Sequence, residues 1–267
     1  MTLKEISSLL NSYGAECPQE EALIIIEHVT KFSRAKIMLD PQKSYTESTI
    51  FEILEKRKEH IPLQYIIGSW EFMGKEFYVS EDCLIPRPDT EILVERALNL
   101  TKDGMHVCDL CTGSGCIGIS IATRKNVALT LLDISSGALN MAKRNADRHG
   151  VGARFILGDL RTDIPNEKFD IITVNPPYIP TKDIESLSSE VKKEPTLALD
   201  GGLDGLDIIR HLLNSTISYL NDNGKMLIEF GYDQENEMRE LLKGANISSY
   251  EILYDYGKNP RVAVIYK

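Results

Sequence analysis

Apolar residues recur at helical spacing through the first sixty positions of the chain, then gather into short uninterrupted runs from about residue 107 onward. Leu3, Ile6, Leu9 and Leu10 share one face, and Ala22, Ile25, Ile26 and Val29 share another. That is the period of amphipathic helices. A further helix is predicted from Thr46 to about His60, between Asp40-Pro41 and Ile61-Pro62, since a residue preceding proline avoids the helical region. These short helices predict a small bundle over residues 1–62. The pattern then changes. Gln64-Tyr65-Ile66-Ile67-Gly68 and Lys75-Glu76-Phe77-Tyr78-Val79 read as strands turning at Gly74, a β-hairpin linker over 63–85.

Beyond it, strands and helices alternate. Strands are predicted at Val107–Leu110, Val127–Leu132, Arg154–Leu157, Ile171–Val174 and Lys225–Phe230. Helices are predicted at Cys116–Arg124, Ser135–His149 with Ser135 as N-cap, Leu206–Leu220 and Gln234–Leu242. Ser249–Tyr254 and Val262–Tyr266 close the chain as strands. Such alternation predicts an α/β domain over 86–267, a mainly parallel sheet covered by helices on both faces with an antiparallel C-terminal hairpin. Residues 179–205 lack periodicity and read as a lid or binding loop.

The 267 residues are 42% hydrophobic and 26% charged, the composition of a chain that can build a full core. A net charge of −10 and a pI near 5.1 argue against stable binding of extended nucleic acid, which needs a basic surface. No apolar run reaches membrane-spanning length, and Met1–Glu5 opens a helix pattern rather than an apolar leader. Five cysteines without framework spacing fit a reducing cytoplasm. Cys108 and Cys111 form a Cys-x-x-Cys, but no second pair completes a metal site, so both read as small buried residues. The five histidines are scattered, and no metal is called for.

The candidate chemistry sits at strand ends. Asn175-Pro176-Pro177-Tyr178 follows the fourth strand directly. Two prolines stop the ladder and stiffen the turn, at the carboxyl edge where open α/β sheets bind ligands. Such a bracket can hold a planar NH2 between the Asn175 side-chain oxygen and a proline carbonyl, with Tyr178 against its flat face; a plain turn is the competing reading.

The first strand ends in Asp109-Leu110-Cys111-Thr112-Gly113-Ser114-Gly115, a glycine turn that lets backbone N–H groups approach a ligand. Gly113, Gly115 and Gly118 also fit a dinucleotide fingerprint, so the loop alone does not choose the cofactor. Asp133, ending the second strand, can accept both ribose hydroxyls of either. Three features favour S-adenosyl-L-methionine. Asp109 suits an ammonium or sulfonium better than a pyrophosphate, Asp159 and Leu160 can flank an adenine, and the Asn175 bracket offers a methyl-acceptor site.

Taken together, these segments resemble the glutamine methyltransferases that modify class 1 peptide-chain release factors. The likeness runs from about Pro62 to the carboxyl end. It includes Pro62-Leu63-Gln64-Tyr65-Ile66-Ile67-Gly68, Leu84-Ile85-Pro86-Arg87-Pro88-Asp89-Thr90-Glu91, the glycine loop, the Asn175–Tyr178 bracket, and residues 194–205 from Glu194-Pro195-Thr196 to Leu203-Asp204-Gly205.

The resemblance implies a Rossmann-like methyltransferase sheet behind an N-terminal substrate-recognition bundle. It implies methylation of the glutamine side-chain nitrogen in a Gly-Gly-Gln motif by a cytoplasmic monomer, with release factors as partners and S-adenosyl-L-homocysteine as product. Asn175, Pro176 and Tyr178 would be catalytic, and Pro177 would join them in binding substrate. Arg87, Asp109, Cys111, Thr112, Gly113, Ser114, Gly115, Asp133, Asp159, Leu160 and Asn175 would bind the cofactor. For Arg87, at the cleft, a structural ion pair is the competing role.

Cys111 stands where the family usually has glycine and fits only if that position does not need φ > 0; the tail from Asp255 to Val262 also departs from the pattern. An adenine-N6 methyltransferase, a ribosomal-protein glutamine methyltransferase and a non-catalytic dinucleotide-binding protein remain as alternatives.

Overall fold

In the computed structural model, which describes residues 1–267, Thr2 and Glu5 form a reciprocal capping box (3.3 and 2.8 Å) that starts helix α1, Leu3–Ser12. Helices α2 (Pro18–Thr30), α3 (Arg34–Leu39), α4 (Ser48–Lys58) and α5 (Leu63–Ile67) follow. Ile6, Leu10, Ile25, Ile26, Ile37, Ile50 and Leu54 meet in one core, as the helical spacing predicts; Leu9 falls off the stripe and is exposed. The buried Arg57 guanidinium is matched on every side. It pairs with Glu21 at 2.9 and 3.1 Å and Glu190 at 2.6 Å, and donates to the Ile61 carbonyl at 2.7 Å.

Gln64–Gly68 is not a strand. It forms α5, and the reason lies in its flanks: Pro62 opens the turn, and Gly68, at φ 79°, closes it in the left-handed region with its N–H on the Gln64 carbonyl. A run of three apolar residues is too short for periodicity to separate helix from strand. These helices, with residues Ser188–Lys193, make one compact unit; Ser69–Leu187 with Glu194–Lys267 make the other.

The second unit opens with a hairpin of β1 (Ser69–Phe72) and β2 (Lys75–Tyr78). Met73 and Gly74 both have positive φ at its turn, as tight two-residue hairpins require. Then come α6 (Glu91–Leu100), β3 (His106–Leu110), α7 (Cys116–Ala122), β4 (Ala128–Asp133), α8 (Ser136–His149), β5 (Ala153–Leu157) and β6 (Phe169–Val174). The chain closes with α9 (Asp207–Ser215), β7 (Leu220–Glu229), α10 (Glu235–Gly244), β8 (Ser249–Tyr254) and β9 (Pro260–Tyr266). Helix α9 is shorter than the apolar pattern predicts; Thr216–Tyr219 tightens into a 3-10 turn, where β-branched residues weaken helix propagation.

The sheet order is β5-β4-β3-β6-β7-β9-β8; the first five are mutually parallel, and β9 alone runs the other way, pairing antiparallel with both β7 and β8. Alternate residues face opposite cores. Val107, Leu129, Ile171 and Leu227 pack under α6, α7 and α8, while Cys108, Leu132, Ile172 and Met226 pack under α9 and α10. This is the expected doubly wound sheet. After β3 the chain winds outward to β5, then returns to β6 on the other side of β3. That reversal opens a crevice at the carboxyl ends of β3 and β6. The 179–205 stretch holds three 3-10 turns and a bridge between Ile179 and Asp200, short features that leave no sustained period in sequence.

Candidate active site

The loop after β3 is shaped from below. The Asp109 carboxylate is fully buried and accepts from Thr112 Oγ1 (2.6 Å), Thr173 Oγ1 (2.7 Å) and the Gly118 N–H (3.2 Å). Burial pushes its pKa up to about 6, against the pull of those donors. Cys111, Gly113 and Gly115 all take positive φ, at 53°, 56° and 80°. The condition under which Cys111 fits poorly is therefore met: its side chain sits in a conformation that favours glycine. At Gly118 a Cβ would lie 2.6 Å from Leu131 Cδ2, so this glycine serves close contact between α7 and the sheet, the third role in the dinucleotide fingerprint.

A cleft lies over this loop at the carboxyl ends of the strands, the usual place for a ligand in such a sheet. Its walls include Arg87, Cys111, Thr112, Gly113, Ser114, Asp133, Asp159, Leu160, Asn175 and Pro177 from the predicted set. Asp109, Gly115, Pro176 and Tyr178 are not among its lining residues. Asp109 is fully buried beneath the loop, with both oxygens accepting from Thr112, Thr173 and Gly118, and so shapes the loop from below.

Asp133 ends β4 with Oδ2 on the Gly113 N–H (2.8 Å) and Oδ1 on the Ser135 N–H (2.9 Å). Each oxygen keeps a lone pair for a ligand hydroxyl. Burial raises its pKa. Asp159 is paired with Arg161 at 2.9 Å, which holds its carboxyl below the usual range, and Leu160 beside it is buried. Ser114 Oγ is buried with no hydrogen-bond partner in the protein. Paired acceptors at a strand end, an apolar wall and loop N–H groups form a donor and acceptor set that fits an adenosine-bearing ligand.

The bracket is braced from behind. Gly201 and Gly205 press against it so closely that a Cβ at Gly201 would lie 2.7 Å from the Pro177 carbonyl oxygen, and one at Gly205 2.1 Å from that of Tyr178. Gln234 Nε2 donates to the same Tyr178 oxygen at 2.9 Å. This contact explains Gly201 and Gly205, while a Cβ at Gly202 would meet Asp207. The Tyr178 hydroxyl meets Glu229 Oε1 at 3.4 Å, and burial beside that carboxylate raises its pKa. Asn175 Nδ2 donates to Thr90 Oγ1 at 3.2 Å, leaving Oδ1 as its unspent acceptor.

Arg87 does form an ion pair, with the buried Glu194, which also accepts from the Ile85 N–H at 3.0 Å. It lines the cleft as well. Thr90, Glu194 and Glu229 were missed as site residues. Thr90 and Glu194 lie inside quoted motifs, and Glu229 is a carboxylate ending an apolar run, a cost the fold bears only for a reason.

Family models match over both units: a PrmC N-terminal domain at residues 2–68 and a Methyltransferase small domain at 88–194. The chain is 36% identical to a release factor glutamine methyltransferase of Clostridium acetobutylicum, across 96% of this chain and 94% of that one. It is 37% identical to that of Clostridium botulinum, across 98% of each. Among solved structures, a Pyrococcus furiosus methyltransferase superposes with a TM-score of 0.56 at 16% identity, over 73% of this chain and 90% of that one. A T. thermophilus 16S rRNA methyltransferase in complex with AdoMet and guanosine gives 0.54 at 15%, over 74% and 49%. These two share the fold. With matches of this identity running the length of both proteins, the chain belongs to the release factor glutamine methyltransferase family.

Proposed function

We propose that this protein methylates the side-chain amide nitrogen of the glutamine in the Gly-Gly-Gln motif of class 1 release factors, using S-adenosyl-L-methionine. The observation that carries this reading is Asn175, at the sheet's carboxyl edge in the cleft wall, its NH2 tied to Thr90 and its oxygen unspent. S-adenosyl-L-methionine supplies an electrophilic methyl on a sulfonium and leaves as S-adenosyl-L-homocysteine.

A neutral amide nitrogen is a weak nucleophile because its lone pair is delocalised into the carbonyl. Asn175 Oδ1 and the Pro176 carbonyl accept its two hydrogens, aim the nitrogen and favour the positive charge that builds on it. The bracket's stiffness keeps that alignment. No strong base is needed, since the methylated nitrogen is acidic enough to release its proton afterwards. Pro177 walls the acceptor side. Asp133 takes the ribose hydroxyls, and Leu160 and Asp159 flank the adenine. The helices of the Met1–Gly68 unit serve substrate recognition, and the five free thiols suit the reducing cytoplasm where release factors work.

The test is to incubate the protein with methyl-labelled S-adenosyl-L-methionine and, separately, release factor, ribosomal proteins and DNA, mapping the label by mass spectrometry. Label on the release-factor glutamine is expected. Label on adenine or on a ribosomal-protein glutamine, with none there, refutes the reading.

A further inference from the structure

The parallel pairing of β6 and β7 sets Val174 opposite Ile228, so the next residues, Asn175 just past β6 and Glu229 at the end of β7, lie side by side at the sheet's carboxyl edge. Glu229 is almost wholly buried. Tyr178 approaches its Oε1, while Oε2 has no partner at hydrogen-bonding geometry. The Thr90 side chain faces this carboxylate and favours its charged form. Thr90 Oγ1 is already the acceptor for Asn175 Nδ2, so its own hydrogen is free for Glu229.

A hydroxyl carries one hydrogen, and a carboxylate only accepts. An ionised Glu229 can therefore only take the Thr90 hydrogen, an arrangement that leaves the Thr90 lone pair for Asn175 Nδ2. The two ends of an asparagine amide are nearly the same shape, and only its neighbours decide which way it faces. Reversing the chain turns Thr90 into a donor, flips Asn175 and sets NH2 against the substrate's NH2.

We propose that Glu229 is a positioning residue: through the Thr90 hydroxyl it fixes the flip of the Asn175 amide so that Oδ1 meets the substrate nitrogen. This rests on the glutamine-methylation reading above. The groups facing Glu229 are Thr90, Tyr178, Arg261 and Asp89; Arg261 favours the carboxylate, Asp89 opposes it, and burial raises its pKa to about 7. The ordered chain is thus present above neutral pH and lost as pH falls through it.

Glu229→Gln, which sets an NH2 towards Thr90 when its oxygen keeps Tyr178, lowers kcat about 10- to 100-fold, the equivalent of one hydrogen bond to a charged group. KM for the release factor and the affinity for S-adenosyl-L-methionine change little. The acid limb of the wild-type kcat profile flattens in this variant. Thr90→Val gives the same loss, Thr90→Ser recovers most of it, and Thr90→Val with Glu229→Gln is no worse than either alone. Independently of turnover, the Asn175 side-chain amide resonances, assigned by 15N NMR against Asn175→Ser, titrate near neutral pH in wild type and not in Glu229→Gln. Unchanged kcat in Glu229→Gln, or Asn175 resonances indifferent to pH, overturns the proposal. Absence of methyl on the release factor from wild-type protein refutes instead the reaction on which it rests, and the NMR titration still decides the relay.

Discussion

Arg87 and Glu194, 107 residues apart, are joined by an ion pair whose carboxylate is buried and also caps the Ile85 N–H. The contact ties Leu84–Arg87 to Pro195–Ala198, and both stretches wall the cleft. Glu194→Ala leaves the Ile85 N–H and the Arg87 guanidinium without their acceptor. Arg87 is 35% exposed, and solvent screening holds the expected cost to about 1–3 kcal/mol. Denaturant unfolding measures it, and calorimetry is expected to show weaker S-adenosyl-L-methionine binding.

Asn175→Ala removes the acceptor at the cleft and leaves the glycine loop and Asp133 intact. Turnover is expected to fall about 100-fold or more, as for loss of a group that aligns and stabilises the transition state. Cofactor affinity should change only a few-fold. Comparing steady-state rates with direct cofactor titration checks the split; equal loss of both would make Asn175 chiefly a cofactor contact.

Gly205 combines a φ of 80° with a Cβ position 2.1 Å from the Tyr178 oxygen. Gly205→Ala must therefore displace the back of the bracket. A cost of about 1–3 kcal/mol is expected from the overlap, together with a fall in kcat larger than any change in cofactor affinity. Unfolding and kinetic measurements on the same preparation separate the two effects.

At Cys111 two changes oppose each other, because removing the side chain relieves the backbone but also loses contacts with the core. Comparing Cys111→Gly with Cys111→Ala isolates the backbone, since neither keeps the thiol. The glycine variant is expected to be the more stable by about 1 kcal/mol, read from chemical denaturation midpoints.

Asp109 and Glu229 have pKa values raised by burial, to about 6 and about 7. An acid whose folded-state pKa lies above its unfolded value holds its proton more tightly when folded. Its contribution to stability is complete below the unfolded pKa and is lost as pH rises through the folded one. Between pH 4.5 and 7 the wild type should therefore lose stability relative to Glu229→Gln, by on the order of 2 kcal/mol. Thermal unfolding of the two proteins across that range checks the sign. Depressed carboxylates such as Asp159 act in the opposite sense and cancel in the comparison.

Much of this site was legible because it is built from local constraints. Paired prolines can only end a strand, and a glycine-rich turn between a strand and a helix can only present backbone. Alternating apolar runs demand a sheet covered on both faces. The stretch misread as a strand, Gln64–Gly68, failed for the same reason in reverse: its apolar run was shorter than either period, and the helix was decided by Pro62 and Gly68 at its ends.

The order of elements, the ligand-facing turns and the family motifs were thus determined by sequence alone, since each depends on residues adjacent in the chain. Tertiary structure decided which groups meet. It put Asp109 under its loop rather than in the cleft, brought the Tyr178 hydroxyl to Glu229, and tied Asn175 to Thr90. Those contacts follow from strand order and register, which arise from burial of two cores across segments far apart in the chain, and no local pattern encodes them.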